Sequence, residues 1–489
     1  MKLTELLNGI NAVQVIGNIR NAEVSSIEFD SRKVLKNSLF VAIKGFTVDG
    51  HRFIQDAIEN GAIAVVLEND NSVSDDIFKH GNAAKILVAD SRKSLAEISN
   101  FYFNHPSSKL KLVGITGTNG KTTSSYFIKN IFETAGYKTG LLGTISNYIG
   151  KKAIDSKLTT PESNNLNEML TQMVSEKCSH AVMEVSSHSL ALNRVTGLRF
   201  NSAVFTNITS DHLDFHESFE NYFNAKKLLF DSLDAEAFVV YNSDDKYSTQ
   251  IIADCNARKY SFGTLSNADF SVNEIDYNLS GTTFTICHNK NDYLISTSLV
   301  GDFNAYNACA AFAVGKIYGI KEDHLIMGIK TTPQIPGRFE VISAGSKNVI
   351  VDYSHTPDSL KKTLQVIRKL NKENKEIITV FGCGGNRDKI KRPEMGKIAT
   401  GISDKVIITS DNPRDENPFE IINDITNGIE SNNFNVIESR AEAIRASIKQ
   451  SSENAIILIA GKGHEEYQEI KGKRVKFSDK KIALQNLNN

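Results

Sequence analysis

The chain has 489 residues, more than one hydrophobic core usually supports, so we expect about three domains. Hydrophobic residues make up 40% and charged residues 23%, and the formal net charge of -1 argues against a nucleic-acid partner. The start lacks a signal-peptide pattern and no long apolar run follows, which predicts a cytoplasmic protein without membrane insertion.

Two turn-rich segments divide the chain. Residues 104–108 separate a helical run from a strand-like run, and residues 331–337 separate a helical run from a new series of strands. We therefore predict an α/β protein of three domains: a small N-terminal α/β domain (1–105), a central domain (106–334) and a C-terminal domain (335–489).

The N-terminal part carries no catalytic arrangement of side chains. It contributes two segments, 29–32 and 39–50. The Asp30-Ser31 pair is typical of a turn or a helix cap, so the residues alone do not distinguish a binding site from a capped turn.

The central part opens with a strand, a glycine-rich loop and a helix. An apolar run at 110–116 is followed by the loop, where backbone N–H groups can converge on phosphate, Lys121 can neutralise outer phosphates and Thr122 can hold Mg²⁺. Ile115 stands where the strict motif has its first glycine, so an ordinary glycine-rich turn is the alternative. The candidate phosphate-binding residues are Gly117, Thr118, Asn119, Gly120, Lys121, Thr122 and Thr123.

Two later strand-like runs of the central part also end in polar residues. The run 181–185 delivers Glu184, and the run 202–205 is followed by Asp211 and His212. Parallel strands bring their carboxyl ends to one edge, where such groups can reach Mg²⁺ beside substrate phosphates. Taken singly, each is more often a helix cap or a satisfied loop group.

The C-terminal part alternates apolar strand-like runs, at 348–353, 376–381, 405–410 and 455–460, with helical stretches. This pattern predicts a doubly wound, Rossmann-like sheet with the polar residues beyond each run at one edge. A small polar or zwitterionic substrate is the ligand that such an edge favours.

Taken together, the segments 117–122, 184–188 and 211–216 resemble the central-domain motifs of the Mur ligase family, in the same order. The resemblance extends from about Phe29 to Glu465. It implies a central domain of the P-loop ATPase type with a mostly parallel sheet, and an ATP-dependent, ADP-forming amide ligase of peptidoglycan precursor synthesis.

The resemblance also implies a metal and catalytic set. Lys121, Glu184, His212 and Lys226 would be catalytic. Thr122, Glu184, His212 and Lys226 would hold Mg²⁺, with Lys226 as a carbamate, because a carbamate turns a cation into an anionic ligand. Without the resemblance, Lys226 is typical of a solvated helix face.

The segment Asp411-Asn412-Pro413-Arg414 resembles the signature of diaminopimelate-adding family members, and this resemblance implies the amino-acid substrate. meso-Diaminopimelate differs from lysine by a carboxylate at its far end, which Arg414 can bind with two parallel hydrogen bonds. A turn with a solvated arginine is the alternative. The implied diaminopimelate-binding residues are Arg387, Asp411, Asn412, Pro413, Arg414, Gly461 and Glu465.

The remaining contacts to ATP and to the UDP-linked precursor are carried over from the same resemblance. Asn304, Asn307, Arg338 and Asp352 would bind ATP, although Asn304 is equally typical of a helix cap and Arg338 of a surface ion pair. Leu192 departs from a family position often occupied by glutamine. The implied precursor-binding residues are Phe29, Ser31, Phe46, Thr47, Val48, Thr159, Thr160, Ser186 and Arg194.

The predicted reaction transfers a phosphoryl group from ATP to the D-glutamate carboxylate of UDP-N-acetylmuramoyl-L-alanyl-D-glutamate, and the diaminopimelate amine then attacks the acyl phosphate. We expect a monomer with small-molecule substrates. The alternatives are a lysine-adding family member, a ligase like folylpolyglutamate synthetase, or an ATP-binding regulatory protein without enzymatic activity.

Overall fold

A computed structural model describes residues 1–20, 22–45, 48–344 and 347–487. They form three α/β domains built around sheets of five, eleven and six strands. Within each domain, buried apolar side chains form two clusters, one on each face of the sheet. This three-domain architecture, with a mostly parallel central sheet, confirms the predicted fold class.

The N-terminal domain has a sheet in the order β1-β5-β4-β3-β2, in which only the β1–β5 pair is antiparallel. Helices α1 and α4 cover one face, and α2 and α3 cover the other. The elements are α1 (Leu3–Leu7), β1 (Ala12–Ile16), β2 (Ser26–Glu28), β3 (Ser38–Val41), α2 (Ile54–Glu59), β4 (Ala62–Leu67), α3 (Asp75–His80), β5 (Ala84–Val88) and α4 (Ser91–Tyr102).

The first half of the central domain supplies the middle of its sheet and one antiparallel edge. The elements are β6 (Lys111–Thr116), α5 (Lys121–Thr134), β7 (Thr139–Leu142), β8 (Ser146–Ile149), β9 (Lys152–Asp155), α6 (Ser163–Ser175), β10 (His180–Glu184), α7 (Ser187–Ala191), β11 (Ser202–Phe205), α8 (Leu213–His216) and α9 (Phe219–Asp231).

The second half extends the sheet on the other side and adds two helices that pack with α5 on one face. The elements are β12 (Phe238–Asn242), α10 (Ser248–Ile251), β13 (Arg258–Gly263), β14 (Phe270–Asn278), β15 (Gly281–His288), β16 (Asn291–Thr297), α11 (Asp302–Ile317) and α12 (Glu322–Lys330). The full order is β16-β15-β14-β13-β12-β11-β6-β10-β7-β8-β9.

The C-terminal domain has the sheet order β17-β18-β22-β19-β20-β21, parallel except at the β17 edge. Its two central strands are buried along their whole length because helices cover both faces of the sheet. The elements are β17 (Glu340–Ala344), β18 (Lys347–Asp352), α13 (Pro357–Leu370), β19 (Ile377–Phe381), α14 (Lys391–Ile402), β20 (Lys405–Ile408), α15 (Pro418–Thr426), β21 (Phe434–Val436), α16 (Arg440–Lys449), β22 (Ile456–Ala460), β23 (Tyr467–Ile470), β24 (Lys473–Lys476) and α17 (Asp479–Leu487).

The predicted domain boundaries lie in connections between these elements. Helix α4 ends at Tyr102 before β6, and α12 ends at Lys330 before β17. The boundaries themselves stay a prediction. In the part of the chain that the structure describes, every helix is too short or too polar to span a lipid bilayer.

A fully buried ion pair ties the last helix to the C-terminal sheet. Arg440, at the start of α16, contacts Asp479, at the start of α17, with 2.7 Å between Nη2 and Oδ2, and both side chains are 0% exposed. The same Nη2 donates to the carbonyl oxygen of Ala460, the last residue of β22. The pair therefore anchors the strand end from which residues 461–465 emerge.

We predict that Asp479→Asn lowers the free energy of unfolding of the C-terminal domain by about 3 to 5 kcal/mol, because the buried charge of Arg440 loses its partner. Urea denaturation followed by circular dichroism measures the change. The matched control is Glu442→Gln, which breaks an exposed pair with Arg445 in α16 and is expected to cost less than about 1 kcal/mol. If Asp479→Asn lowers the free energy of unfolding no more than Glu442→Gln does, the buried pair does not anchor the helix.

Candidate active site

The site begins where three neighbouring parallel strands of the central sheet end. Strand β6 lies between β10 and β11, with both of which it is parallel. The chain leaves β6 into the glycine-rich loop, β10 ends at Glu184, and β11 is followed by Thr206 and Asn207. A loop at such a change of strand order is where open α/β sheets bind ligands.

The loop has no room for larger residues at two of its glycines. Gly117 and Gly120 have φ values of 149° and 88°, and a Cβ atom on Gly117 would collide with the hydroxyl of Thr206. At Gly120 the Cβ would collide with the side-chain oxygen of Asn307. These positions therefore require glycine, which keeps the backbone close to any group held by the loop.

Lys121 begins helix α5 and lies against its own loop. Its Nζ donates hydrogen bonds of 2.9 Å to the carbonyl oxygens of Gly117 and Thr118. Burial lowers the pKa of its ammonium. The lysine thus lies where the loop meets the helix, which is its place in the sequence motif.

Glu184 is 1% exposed and is held by hydroxyl and backbone donors. Its Oε2 accepts from the hydroxyl groups of Thr122 and Thr144, each at 2.9 Å, and its Oε1 accepts from the backbone N–H of Thr144, also at 2.9 Å. The end of β10 is thereby linked to the first turn of α5. Sequence reasoning did not identify Thr144, although its position just after β7, the neighbour of β10, follows the same strand-end rule.

Lys226 is buried in helix α9 next to the loop. It is 1% exposed, and its Nζ donates to the carbonyl oxygen of Gly117 at 2.9 Å, the same oxygen that accepts from Lys121. The amine also lies 4.6 Å from the centre of the Tyr222 ring. Burial, followed by the charge of Lys121, holds the pKa of Lys226 well below its usual range. An amine in this position is far easier to obtain neutral than a solvated lysine.

His212 lies in the loop before α8 with φ 55°, a left-handed conformation that costs energy for a non-glycine residue. Its ring centre is 4.7 Å from that of His188, and its Nε2 is 3.4 Å from a carboxylate oxygen of Asp211. Burial lowers the pKa of His212 to about 3, so the ring is neutral at neutral pH. A neutral imidazole is a donor or a ligand rather than a cation.

The phosphate loop opens onto a cavity of about 650 Å³ that has walls from two domains. The central domain contributes Lys121, Glu184 and His212, and the C-terminal domain contributes Arg338 and Asp352. A cavity of this volume is in the range of ordinary small-molecule sites. Among the predicted ATP-binding residues, Asn307 also lines it.

Arg338 is the direct link from the C-terminal domain to the loop. Its Nη2 donates to the hydroxyl of Thr122 at 3.2 Å, its guanidinium lies 4.6 Å from the centre of the Tyr353 ring, and its buried Nε has no hydrogen-bond partner among the described residues. A second link joins Asn119, whose side-chain amide donates to Asp358 at 3.2 Å. The interpretation of Arg338 as a surface ion pair does not match this geometry.

Two predicted ATP ligands have their polar groups engaged within the protein. The Asn304 amide donates to the carbonyl oxygen of Val300 at 2.9 Å and its oxygen accepts from Asn307, and Asn304 is not among the cavity-lining residues that the structure describes. Asp352 accepts from the backbone N–H groups of Phe339, at 2.7 Å, and Ser354, at 2.9 Å. Roles in ATP binding stay predictions for both.

The predicted amino-acid site lies at the carboxyl edge of the C-terminal sheet. Strands β22, β19 and β20 are neighbours in the sheet, and the segments around residues 461, 384 and 412 follow them at this edge. There the side-chain amide of Asn412 donates to Glu465 Oε2 at 2.9 Å. Gly461 has φ 114°, and a Cβ there would lie 2.5 Å from a carboxylate oxygen of Asp411. Pro413 is buried between Asn412 and the arginine that follows.

Arg414 is held in a left-handed conformation, with φ 51°. Its backbone N–H donates to Glu469 and its carbonyl accepts from Lys471, and its Nη1 donates to the carbonyl oxygen of Gly385 at 2.7 Å. The Nε lies 3.4 Å from a carboxylate oxygen of Glu469. The guanidinium is therefore positioned from two sides and remains 22% exposed.

The edge and the nucleotide-sized cavity are adjacent but not one volume. Arg387, Asp411, Arg414 and Glu465 are absent from the cavity lining within the described part of the chain. Arg387 instead reaches the central domain, with its Nη1 3.8 Å from a carboxylate oxygen of Asp214, two residues after His212. This contact connects the two predicted sites at the domain boundary.

The predicted precursor-binding residues of the central domain form a polar chain beside Glu184. The hydroxyl of Thr159 is 3.1 Å from that of Thr144, and the hydroxyl of Thr160 donates to the Glu184 carbonyl at 2.8 Å and lies 3.4 Å from Ser186. Arg194 donates to the carbonyl oxygen of Thr160 at 3.2 Å.

In the N-terminal domain, Phe29 is half-buried, Ser31 is buried and Val48 is exposed. Asn164, from helix α6 of the central domain, donates to the carbonyl oxygen of Ile27 at 3.2 Å, close to Phe29. The predicted residues Phe46 and Thr47 lie outside the described residues. Precursor binding by this surface stays a prediction.

Three Mur ligase family models match the chain in succession. The model of the Mur ligase family catalytic domain matches residues 23–103, that of the Mur ligase middle domain residues 115–315, and that of the Mur ligase glutamate ligase domain residues 337–463.

Whole-chain relatives agree with these matches. The UDP-N-acetylmuramoyl-L-alanyl-D-glutamate–2,6-diaminopimelate ligase of Clostridium botulinum is 44% identical over 463 residues, covering 94% of each chain. The ligase of the same name from Clostridium perfringens is 44% identical over 492 aligned positions, covering 99% of each chain.

Solved structures share the fold. A structure of a UDP-N-acetylmuramoyl-L-alanyl-D-glutamate–2,6-diaminopimelate ligase has a TM-score of 0.69 at 30% identity, covering 100% of this chain and 99% of that one. The MurF ligase from Thermotoga maritima has a TM-score of 0.66 at 18% identity, covering 96% and 98%. These matches, together with the site geometry, confirm the resemblance found in the sequence: the chain belongs to the Mur ligase family.

Proposed function

We propose that this Mur ligase joins meso-diaminopimelate to the D-glutamate of UDP-N-acetylmuramoyl-L-alanyl-D-glutamate. The observation that carries the proposal is the position of the Lys121 loop beside the C-terminal domain. Arg338 of that domain donates to Thr122 of the loop, and Arg387, from the edge that holds Arg414 and Glu465, reaches Asp214 of the central domain. The names of relatives 41 to 44% identical over the chain support the same substrate pair. Action as a cytoplasmic monomer belongs to this proposal.

The first step places ATP in the cavity shared by the two domains. Lys121 and Arg338 both line this cavity and supply two cations, and Arg338 donates to Thr122 from the C-terminal domain. The γ-phosphoryl group passes from ATP to the glutamate carboxylate, which gives ADP and an acyl phosphate. Fixed cations stabilise the charge that spreads over the transferring group, so catalysis here is positioning and electrostatics.

The donor set around Glu184 fits Mg²⁺, and a modified Lys226 would extend it. The Glu184 carboxylate and the Thr122 hydroxyl are the hard oxygen ligands that this ion prefers. No group of three or more His, Cys, Asp or Glu side chains suited to a metal occurs within the described residues. A carbamate on Lys226 would add an anionic oxygen ligand, with His212 as the further predicted member of the set. Bound there, Mg²⁺ would neutralise phosphate charge.

The second step forms the amide bond. The amine of meso-diaminopimelate attacks the carbonyl carbon of the acyl phosphate, the C–O bond to phosphate breaks, and the amine loses a proton as inorganic phosphate leaves. Arg414 and Glu465 would bind the far end of the amino acid through its carboxylate and its ammonium. Arg387 lies on the central-domain side of the edge, where the two substrates must meet.

The precursor would lie between the N-terminal and central domains. Thr159, Thr160, Ser186 and Arg194 line the approach to Glu184 with donors that suit its peptide and carboxylate groups. Leu192, the residue that follows helix α7, has an apolar side chain and therefore offers no hydrogen bond to the precursor. We propose the surface around Phe29, Ser31 and Val48, with residues 46 and 47, for the uridine diphosphate.

We predict that the purified enzyme releases phosphate and forms product with meso-diaminopimelate but not with L-lysine, because lysine cannot offer a carboxylate to Arg414. Phosphate release and mass spectrometry of the nucleotide product measure this with the precursor and ATP present. Product formed with L-lysine but not with meso-diaminopimelate would identify a lysine-adding enzyme. ATP hydrolysis independent of any amino acid would favour the regulatory alternative.

We predict that Arg414→Met lowers kcat/KM for meso-diaminopimelate about 100-fold, since it removes charge-assisted hydrogen bonds to the distal carboxylate. The KM values for ATP and for the precursor should stay within about twofold of the wild type. Arg445→Met, which changes an exposed arginine of the same domain, is the control and should behave like the wild type. A loss confined to kcat, with an unchanged KM for the amino acid, contradicts the assigned role.

We predict that Lys226→Ala lowers kcat at least about 100-fold and that millimolar acetate or formate restores part of the activity by replacing the carbamate oxygens. Lys227→Ala is the control, because the neighbouring lysine is paired with Asp231 and Asp254 at the surface. Intact mass spectrometry of the wild type should show the addition of one CO₂. The lowered pKa means that the carbamate is favoured as the pH rises and lost on acidification, when the amine is protonated. A Lys226→Ala variant with wild-type activity would rule out a catalytic role for the carbamate.

A further inference from the structure

Lys462 is a buried cation at the edge of the C-terminal sheet that no step above uses. Its side chain is 0% exposed, and its Nζ donates to Asn412 Oδ1 at 2.9 Å and to Glu465 Oε2 at 2.8 Å. The same nitrogen lies 3.9 Å from Asp411 Oδ1. Lysine is almost never fully buried unless it is paired, and all three of these contacts are with residues predicted to bind the amino acid.

The formal charges around Lys462 leave one negative charge over. Asp411 and Glu465 contribute two carboxylates and Lys462 contributes one ammonium, so the cluster sums to -1. Arg414 lies beside Glu469 and Arg440 is paired with Asp479, so neither arginine forms an ion pair with Asp411 or Glu465. A partly buried cluster with one excess negative charge favours a ligand that brings one more cation.

The hydrogen bonds also leave one oxygen of Glu465 available. Its Oε2 accepts from both Lys462 and Asn412, whereas its Oε1 accepts no hydrogen bond from the residues that the structure describes. Lys462 and Glu469 N–H together occupy Asn412 Oδ1, which orients the Asn412 amide toward Glu465. The buried ammonium therefore binds Glu465 directly and also orients Asn412, the other partner of Glu465.

We propose that Lys462 is a positioning residue that holds Glu465 so that its Oε1 accepts the distal ammonium of the amino-acid substrate. The proposal rests on the proposed function, which it deepens by dividing recognition of the far end between two groups. Arg414 selects the distal carboxylate, and the Lys462–Glu465 pair selects the distal ammonium. A compact ammonium with three donors suits the three acceptors around it, which a planar guanidinium does not.

Two incomplete substrates separate these contributions. L-Lysine lacks the distal carboxylate, and 2-aminopimelate keeps that carboxylate but lacks the distal ammonium. Replacing Lys462 makes the cluster more negative, so a pure charge effect would strengthen binding of an ammonium. A positioning effect weakens it, because Glu465 keeps only the Asn412 contact. The sign of the change therefore distinguishes the two.

The experiment measures phosphate release by the full-length enzyme with ATP, Mg²⁺ and the precursor, for meso-diaminopimelate and 2-aminopimelate, in the wild type, Lys462→Met, Glu465→Gln and the double variant. We expect Lys462→Met to raise the KM for meso-diaminopimelate about tenfold, with the KM for ATP within about twofold. The preference over 2-aminopimelate should fall about tenfold, and the double variant should lose little more than Glu465→Gln alone. Lys473→Met, at an exposed position of β24, is the control.

Several outcomes would overturn the proposal. An unchanged preference in Lys462→Met, a lower KM for meso-diaminopimelate, or additive effects in the double variant would each do so. If circular dichroism shows that Lys462→Met does not fold, Lys462→Gln replaces it, and an unchanged preference in Glu465→Gln alone also overturns the proposal. A wild-type enzyme that makes no product with meso-diaminopimelate would instead refute the proposed function.

Discussion

The site depends on one constraint, the parallel alignment of β10, β6 and β11 at the centre of the eleven-stranded sheet. Because the three strands run side by side, their carboxyl ends place the phosphate loop between Glu184 and the Thr206–Asn207 turn. The Thr122–Glu184 hydrogen bond of the loop depends on this alignment. Helices on both faces keep the strands buried, so their ends have little freedom to shift.

Around that frame, the protein gathers three basic side chains at the phosphate loop. Lys121 and Lys226 donate to the same carbonyl oxygen of Gly117, and Arg338 approaches Thr122 from the other domain. Lys121 and Arg338 are costly to bury as cations without anions, and burial beside Lys121 lowers the pKa of Lys226. The arrangement is stabilised when anionic groups such as phosphates are held there, which ties the stability of the closed arrangement to substrate binding.

At the C-terminal edge, by contrast, most charged side chains are paired with one another, and one excess negative charge remains at the Lys462 cluster. Arg414 is beside Glu469, Arg440 is paired with Asp479, and Lys462 joins Asn412 to Glu465. Such a network is rigid and holds its members in place before a ligand arrives. A zwitterion suits it, because each charge of the ligand meets an oriented group rather than an unpaired one. Under the proposed function, the central domain binds the phosphates of ATP and the C-terminal edge selects the amino acid.

The sequence by itself determined the three-domain α/β architecture, the phosphate loop, the strand ends and the family. These features depend on local or periodic sequence patterns. The apolar run at 202–205 coincides with β11, and glycines in a loop indicate positions where the backbone adopts a positive φ. The tertiary structure alone decided that Asn307 rather than Asn304 lines the cavity, that Arg338 crosses to Thr122, and that Lys462 is buried. No sequence signal marks such contacts, because they join residues distant in the chain, such as Asn119 and Asp358, and depend on how two separately folded sheets are oriented. Pattern and spacing report the direction of a strand and the face of a helix, whereas burial and pairing of a long side chain depend on which other element packs against it.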